Sequence, residues 1–247
     1  MADVAPSLAQ LRAEIDRIDD ELLLLLERRV AIGRRVAAAK GDASGPFLRP
    51  GREAAILRRL VGSATTDLPT ATVERIWREI LGANLARQID PVTVVFAPQG
   101  ATGILDLARD RGGAVTRVVT ADSAAEALDA TVRGSATLAV LPDIADARWR
   151  WWPLLLQESD PKPRVLARLP LFGAGDVPAY GLAAHDPDPS GDDVTLYAVA
   201  GKVEGAVDTA EVAGTLWSLI AADGYLEVGH MPAGAVPIGA YARPTPA

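Results

Sequence analysis

Leu8, Leu11, Ile15, Ile18, Leu22 and Leu25 follow one another at steps of three and four residues, and Ile32, Val36 and Ala39 continue the same stripe. That spacing predicts one amphipathic helix from about Ser7, which can cap it, to about Lys40. At 1.5 Å per residue such a helix is roughly 50 Å long, more than a small domain can cover from one side. An apolar seam of that length normally finds a second helix, and the pattern alone predicts a helical homodimer. Position 29 of the seam is an arginine. A guanidinium in a buried stripe costs several kcal/mol, on the order of 3–5, unless an anion meets it. Arg29 could instead snorkel to water or pair with a glutamate of a partner helix.

Two more helices are expected. Pro50 stands near the first turn of one that reaches about Val61, after the breaker-rich "GDASGPFLRPG". A third runs from about Ala71 to Gln88, with Ile76, Trp77, Ile80, Leu81 and Leu85 on one stripe that ends in the amides Asn84 and Gln88. At Asp90-Pro91 the texture changes. "PVTVVFAP", "ATLAVLP" and "GDDVTLYAVAG" read as strands, and "SAAEALDATVRG" and "TAEVAGTLWSLIAADG" as helices, which suggests an α/β unit with parallel strands. The boundary is placed at residue 90, giving domains 1–90 and 91–247. The first of these carries its own seam, so it is expected to be self-sufficient.

Arg29 and Lys40 lie eleven residues apart, so they point within roughly 20° of each other with about 16 Å of rise between them. Arg12 is about 25 Å up the helix from Arg29 and reaches the same ligand only across an antiparallel dimer. With Arg52 and Glu53 after Pro50, and with Asn84 and Gln88, these residues would line a cationic pocket with neutral donors, suited to a compact dicarboxylate. The pocket holds no Ser-His pair, no paired carboxylates and no metal-ligand cluster, which favours a reaction driven by positioning and electrostatics. Of 22 Arg and three Lys, one lysine falls at position 40, where a compact point charge would serve.

"LRAEIDRIDDELLLLLERR", "AAAK", "RPGREAAILRRL" and "NLARQ" together resemble the all-helical chorismate mutases, above all the mutase domain fused to prephenate dehydratase in bacterial bifunctional proteins. The resemblance covers residues 7–90. It implies a three-helix chorismate mutase fold, an intertwined homodimer, and a cofactor-free Claisen rearrangement of chorismate to prephenate. It implies that Arg12 of the partner and Arg29 bind the carboxylates and that Lys40 and Gln88 hydrogen-bond the ether oxygen. Arg52 would support a carboxylate, Glu53 would take the substrate hydroxyl, and Asn84 would replace a serine donor. Arg49, where a family member has an aspartate, is left out of the set.

Residues 91–247 resemble one lobe of a prephenate dehydratase, with a remnant regulatory tail over 200–247. The places where that family keeps its chemistry are altered: Ala101 and Gly103 in the first loop, Ile144 and Ala145 for a Glu-Asn pair, and Pro178, Ala179 and Tyr180 for Thr-Arg-Phe. About one lobe is missing between Leu171 and Val177. The domain is therefore expected to be non-catalytic. "QGATG" could cradle an anion, and "ARWRWWP" reads as a packed edge or as a patch left where the lost lobe docked. His185 and His230 are isolated and take no role.

A net charge of −7 argues against nucleic acid or an anionic membrane as the main partner. No cysteine is present, so disulfides and thiolate metal sites are excluded, and no metal is expected. "MADVAPSLAQ" lacks a basic segment before an apolar core, so a cytoplasmic enzyme is expected. Two other functions fit the helices: an isochorismate-pyruvate lyase, and a non-catalytic regulatory or binding subunit.

Overall fold

The computed structural model describes residues 6–40, 45–64, 67–99, 101, 103–173 and 177–245, and of residues 37–40 the backbone alone. The chain forms two compact units, 1–45 and 46–247.

The first unit is a single helix, α1 (Leu8–Lys40). Ser7 accepts a hydrogen bond from the Gln10 N–H, and Gln10 Oε1 accepts one from the Ser7 N–H at 2.7 Å, a reciprocal cap. Arg17 reaches back to Glu14 and forward to Glu21 on the polar face. The seam is open to water: Leu8, Ile15, Leu22, Leu25 and Ile32 are each about half exposed or more.

The second unit runs through residue 90. Its described residues form α2 (Pro50–Ser63), α3 (Thr70–Ala86), α4 (Gly103–Gly112), α5 (Ala124–Val132) and nine strands. These are β1 (Val92–Val95), β2 (Arg117–Thr120), β3 (Leu138–Pro142), β4 (Arg164–Leu169), β5 (Ala179–Ala183), β6 (Asp193–Ala200), β7 (Asp208–Val212), β8 (Thr215–Asp223) and β9 (Val236–Ala242). They form one sheet in the order β2-β1-β3-β5-β4-β9-β6-β8-β7. Parallel pairing, expected from the strand-helix alternation, joins β1 to β2 and β3 and touches β4 and β9; the other pairs are antiparallel. The crossovers through α4 and α5 supply the parallel part, and among the described residues the later strands are joined by loops and short 3-10 turns without a further α-helix.

"TAEVAGTLWSLIAADG" is not the expected helix. It is the β7–β8 hairpin, turned at Ala213 (φ 49°) and Gly214 (φ 77°). Two successive left-handed residues match the right-handed twist of a hairpin, and this turn outweighs the helix propensity of the alanines.

The main core lies under β3, β5, β6 and α5 and includes Ala127, Leu141, Trp151, Trp152, Leu182, Leu196 and Ile238. Trp151 and Trp152 are fully buried, with Nε1 donating to the Pro142 carbonyl and to Asp208. The tryptophan run is therefore packed interior and not a vacated docking patch. Trp149 stands edge-on to Phe96.

α2 lies across β4 and β9, burying Ala54 and Leu57 against Leu171 and Ala242. α3 crosses α4 where both are glycine: a Cβ at Gly82 would lie 2.4 Å from the Gly112 carbonyl oxygen. Glu79 then accepts the Ala114 N–H at 2.8 Å just past α4.

Candidate functional site

The N-terminus of α2 begins at Pro50, whose missing N–H costs nothing in a first turn. The next two N–H groups are satisfied from far along the chain. Gly51 and Arg52 donate to the two carboxylate oxygens of Asp188 at 3.0 and 2.9 Å. Arg49 Nε joins the same carboxylate at 3.4 Å. About two turns on, Arg58 donates to Ser190 Oγ, the Asp192 carbonyl and the Arg243 carbonyl. The segment 188–193 thus fastens α2 along its length. Arg52 keeps its side chain exposed.

Glu53 turns inward. Its Oε2 lies 2.9 Å from Arg111 Nη2 of α4 and 3.4 Å from Arg78 Nη1 of α3. Arg78 also reaches Glu74 Oε1 at 3.5 Å. The side chains of Arg78 and Arg111 are 9 % and 8 % exposed, a depth at which two like charges need the carboxylates between them. Burial lowers the Arg78 pKa, with the neighbouring Arg111 charge acting in the same sense and Glu53 and Glu74 opposing it. Burial likewise raises the pKa of Glu74, against the pull of Arg78. Arg111 Nη2 meets Glu53 at ion-pair distance but makes no well-directed hydrogen bond. Beside this cluster, α3, α4 and the end of β4 bound an open groove of about 450 Å³, lined by Arg75, Arg78, Asp110, Arg111 and Leu169 among others.

At the far end of α3, Gln88 Nε2 donates to the Asn84 carbonyl at 3.0 Å. Both side chains are half-buried. On α1, Arg12 is exposed and Arg29 half-buried, and desolvation lowers the pKa of Arg29. Lys40 ends α1, and its side chain lies outside the described residues, as do Gly100 and Thr102 of the "QGATG" loop. The second unit therefore brings Glu53 to Arg78 and Arg111, and Gln88 to Asn84. Sequence reasoning missed Arg78, Arg111 and Asp188. Arg78 lies on α3, a helix already read as amphipathic, and only its position beside the apolar stripe hinted at burial.

Of the positions where the resemblance would place dehydratase chemistry, Ile144, Ala179 and Tyr180 are buried, Ala101, Gly103 and Pro178 are half-buried and Ala145 is exposed. Ile144 and Ala179 are fully buried. Tyr180 packs edge-on against Tyr241 at 5.5 Å, and burial raises its pKa well above the ordinary tyrosine value. Among the described residues no group of three or more His, Asp or Glu side chains could hold a metal ion. No described helix is long and apolar enough to cross a membrane.

Residues 11–89 match the family model of chorismate mutase type II, and this segment is a chorismate mutase domain. It is similar to part of the bifunctional chorismate mutase/prephenate dehydratase of Neisseria gonorrhoeae, at 38 % identity over 90 residues, covering 36 % of this chain and 24 % of that protein. The chain spans about a quarter of the length of the curated relatives it matches. Two solved structures align with 61 % and 62 % of the chain. One is titled as a novel type of quorum quenching acylase, GqqA (13 % identity, 94 % of that chain, TM-score 0.44). The other is the prephenate dehydratase of Streptococcus mutans (10 % identity, 98 % of that chain, TM-score 0.41). Both likenesses are too slight to define the fold of the sheet unit.

Proposed function

We propose that the protein is a chorismate mutase, rearranging chorismate to prephenate in the biosynthesis of aromatic amino acids, and that residues 91–247 are a non-catalytic, dehydratase-like domain. One observation carries the reading: the family match over residues 11–89 encloses the whole set Arg12, Arg29, Lys40, Arg52, Glu53, Asn84 and Gln88. The reaction is an isomerisation. One C–O bond breaks, one C–C bond forms, and no group is transferred to the protein. Catalysis then consists of holding the compact conformer and meeting the charge that grows on the ether oxygen. Lys40 and Gln88 supply donors to that oxygen. For this, Gln88 must turn its amide from the Asn84 carbonyl toward the ligand. Arg29 and a partner's Arg12 bind the carboxylates, Arg52 supports one of them, and Glu53 takes the hydroxyl. The half-burial of Arg29, which lowers its pKa, suits a cation whose counter-charge arrives with a ligand.

The exposed seam of α1 supports a homodimer, because a stripe of that length left in water would drive association. The buried apolar residues at Ile144, Ala179 and Tyr180 support a sheet domain without dehydratase chemistry. We place the enzyme in the cytoplasm, working without metal or cofactor. The test is incubation of the purified chain with chorismate. The expected result is loss of chorismate and accumulation of a product that acid converts to phenylpyruvate. Chorismate that persists at the uncatalysed rate would sink the reading. Release of pyruvate in place of prephenate would identify a lyase.

A further inference from the structure

Glu53 belongs to the mutase segment, and Arg111 belongs to the first helix of the sheet domain. Their contact at 2.9 Å joins a residue expected to touch substrate to a residue outside the matched segment 11–89. Three features make this contact a built one. The Arg111 side chain is only 8 % exposed, so its charge has been taken out of water and must be answered locally. Both arginines converge on the same oxygen of Glu53, Oε2. Among the described residues no hydrogen bond engages Oε1, which is therefore the oxygen left to accept a hydroxyl. Finally, the approach of α4 depends on Gly82 meeting the Gly112 carbonyl, a spacing no side chain at 82 would permit. That spacing sets Arg111, one residue earlier, under α2. A second anchor is independent of the first: Asp188 holds the Gly51 and Arg52 N–H groups at the start of the same turn.

We infer that the sheet domain, though without dehydratase chemistry, is a working part of the mutase site, with Arg111 as the positioning residue for Glu53. Arg111 and Arg78 fix Oε2, fixing Oε2 orients the carboxylate, and Oε1 is thereby presented to the substrate hydroxyl. A carboxylate fixed in this way loses no rotamer freedom when substrate binds. The inference rests on the chorismate mutase reading above and adds to it a residue from the other domain.

The test is a double-mutant cycle in the full chain, with chorismate as substrate, on Glu53→Gln, Arg111→Met and the pair, with Arg111→Lys as the conservative variant. Melting curves confirm that each variant is folded at the assay temperature. Where Arg111→Met is not, Arg111→Lys is carried through the cycle in its place. Arg111→Met is expected to lower kcat/KM about tenfold or more and to divide the loss between kcat and KM as Glu53→Gln does. In the Glu53→Gln background the same change should cost less than about twofold, and Arg111→Lys should recover part of the loss. A purely structural Arg111 would lower the melting temperature and multiply with Glu53→Gln, and that multiplication overturns the inference. An active wild-type chain indifferent to Arg111→Met overturns it as well and leaves the mutase reading standing. A wild-type chain that leaves chorismate intact overturns the mutase reading itself, and the inference with it.

Discussion

The carboxylate of Asp188 caps Gly51 across 137 residues of chain, taking the Gly51 N–H at 3.0 Å while its other oxygen takes the Arg52 N–H at 2.9 Å. An N-cap usually comes from the residue just before the helix, but here Arg49 occupies that position and makes no side-chain cap. The missing acceptor is supplied by the loop before β6. Asp188→Ala should therefore cost about 1–2 kcal/mol of stability, the value of a lost cap with its charge near the helix dipole. Gly51→Ala should cost at least as much, because its Cβ would lie 2.0 Å from the Asp188 carbonyl oxygen and push the loop away. Denaturant melts of the two variants measure both. An Asp188→Ala protein as stable as wild type would show that water caps α2 equally well.

The same packing bears on the fragment 1–90. That fragment keeps all seven site residues but loses Asp188, Arg111 and the cover over Leu57, which is fully buried against Leu171 and Ala242. Uncovering one leucine and its neighbours forfeits about 2–3 kcal/mol. The fragment should show less helix by circular dichroism than its three helices account for, bind a hydrophobic dye, and turn over chorismate more slowly per site than the full chain. Equal helicity and equal turnover would return the fold boundary to residue 90.

The three N-terminal helices were legible because each repeats its apolar residues over several turns, and their ends fall within one or two residues of the breakers that announce them. The seam of α1 also pointed to Arg29 as an anomaly. Arg78 and Arg111 gave no comparable signal. In a chain with 22 arginines, a buried guanidinium is indistinguishable from a surface one until its carboxylate partner is placed, and that partner comes from another helix. Asp188 was hidden for the same reason. The β7–β8 hairpin misled because β7 is an edge strand and both of its faces are partly wet, so no two-residue alternation separates it from an alanine-rich helix.

Asp208 offers a pH test of the sheet domain alone. Burial disfavours its carboxylate, but Arg150, at 2.7 and 3.0 Å, and the indole of Trp152, at 2.8 Å, more than offset this and hold its pKa below the ordinary 3.8. A carboxyl with a depressed folded pKa contributes stability that is present above its unfolded pKa and lost as pH falls through the folded one. Asp208→Asn should therefore be destabilised by about 1–3 kcal/mol at pH 7. The gap between the two proteins should narrow as pH falls below 3.8. A gap constant from neutral to strongly acid pH would remove the ion pair as its cause.

If the second domain lacks dehydratase chemistry, the reaction ends at prephenate. Ile144 and Tyr180 are too deeply packed for a substrate to reach, at 2 % and 4 % exposure. At neutral pH the full chain should form phenylpyruvate no faster than buffer does, measured by its absorbance in alkali. Enzyme-dependent phenylpyruvate would show a dehydratase site outside the positions inherited by resemblance.

Arg12 and Arg29 test architecture and mechanism together. Seventeen residues of helix α1 separate them, about 25 Å, so both can grip one chorismate only when one comes from a partner subunit. The exposure of Leu8, Leu11, Ile15 and Leu22 on the same stretch gives the partner a surface to bind. Arg12→Ala and Arg29→Ala should each be nearly inactive, since losing a charge-assisted contact to a carboxylate costs about 2–5 kcal/mol, or roughly 30- to several-thousand-fold in rate. When the two variants are mixed and allowed to exchange subunits, about half the dimers are mixed by random pairing. In each mixed dimer one pocket inherits both lesions and the other keeps both arginines. Activity should return to about a quarter of the wild-type value if the pockets work independently. Exchange is verified separately, by energy transfer between differently labelled subunits. Verified exchange with no recovery would mean that Arg12 does not act across the interface, and the shared pocket would be ruled out.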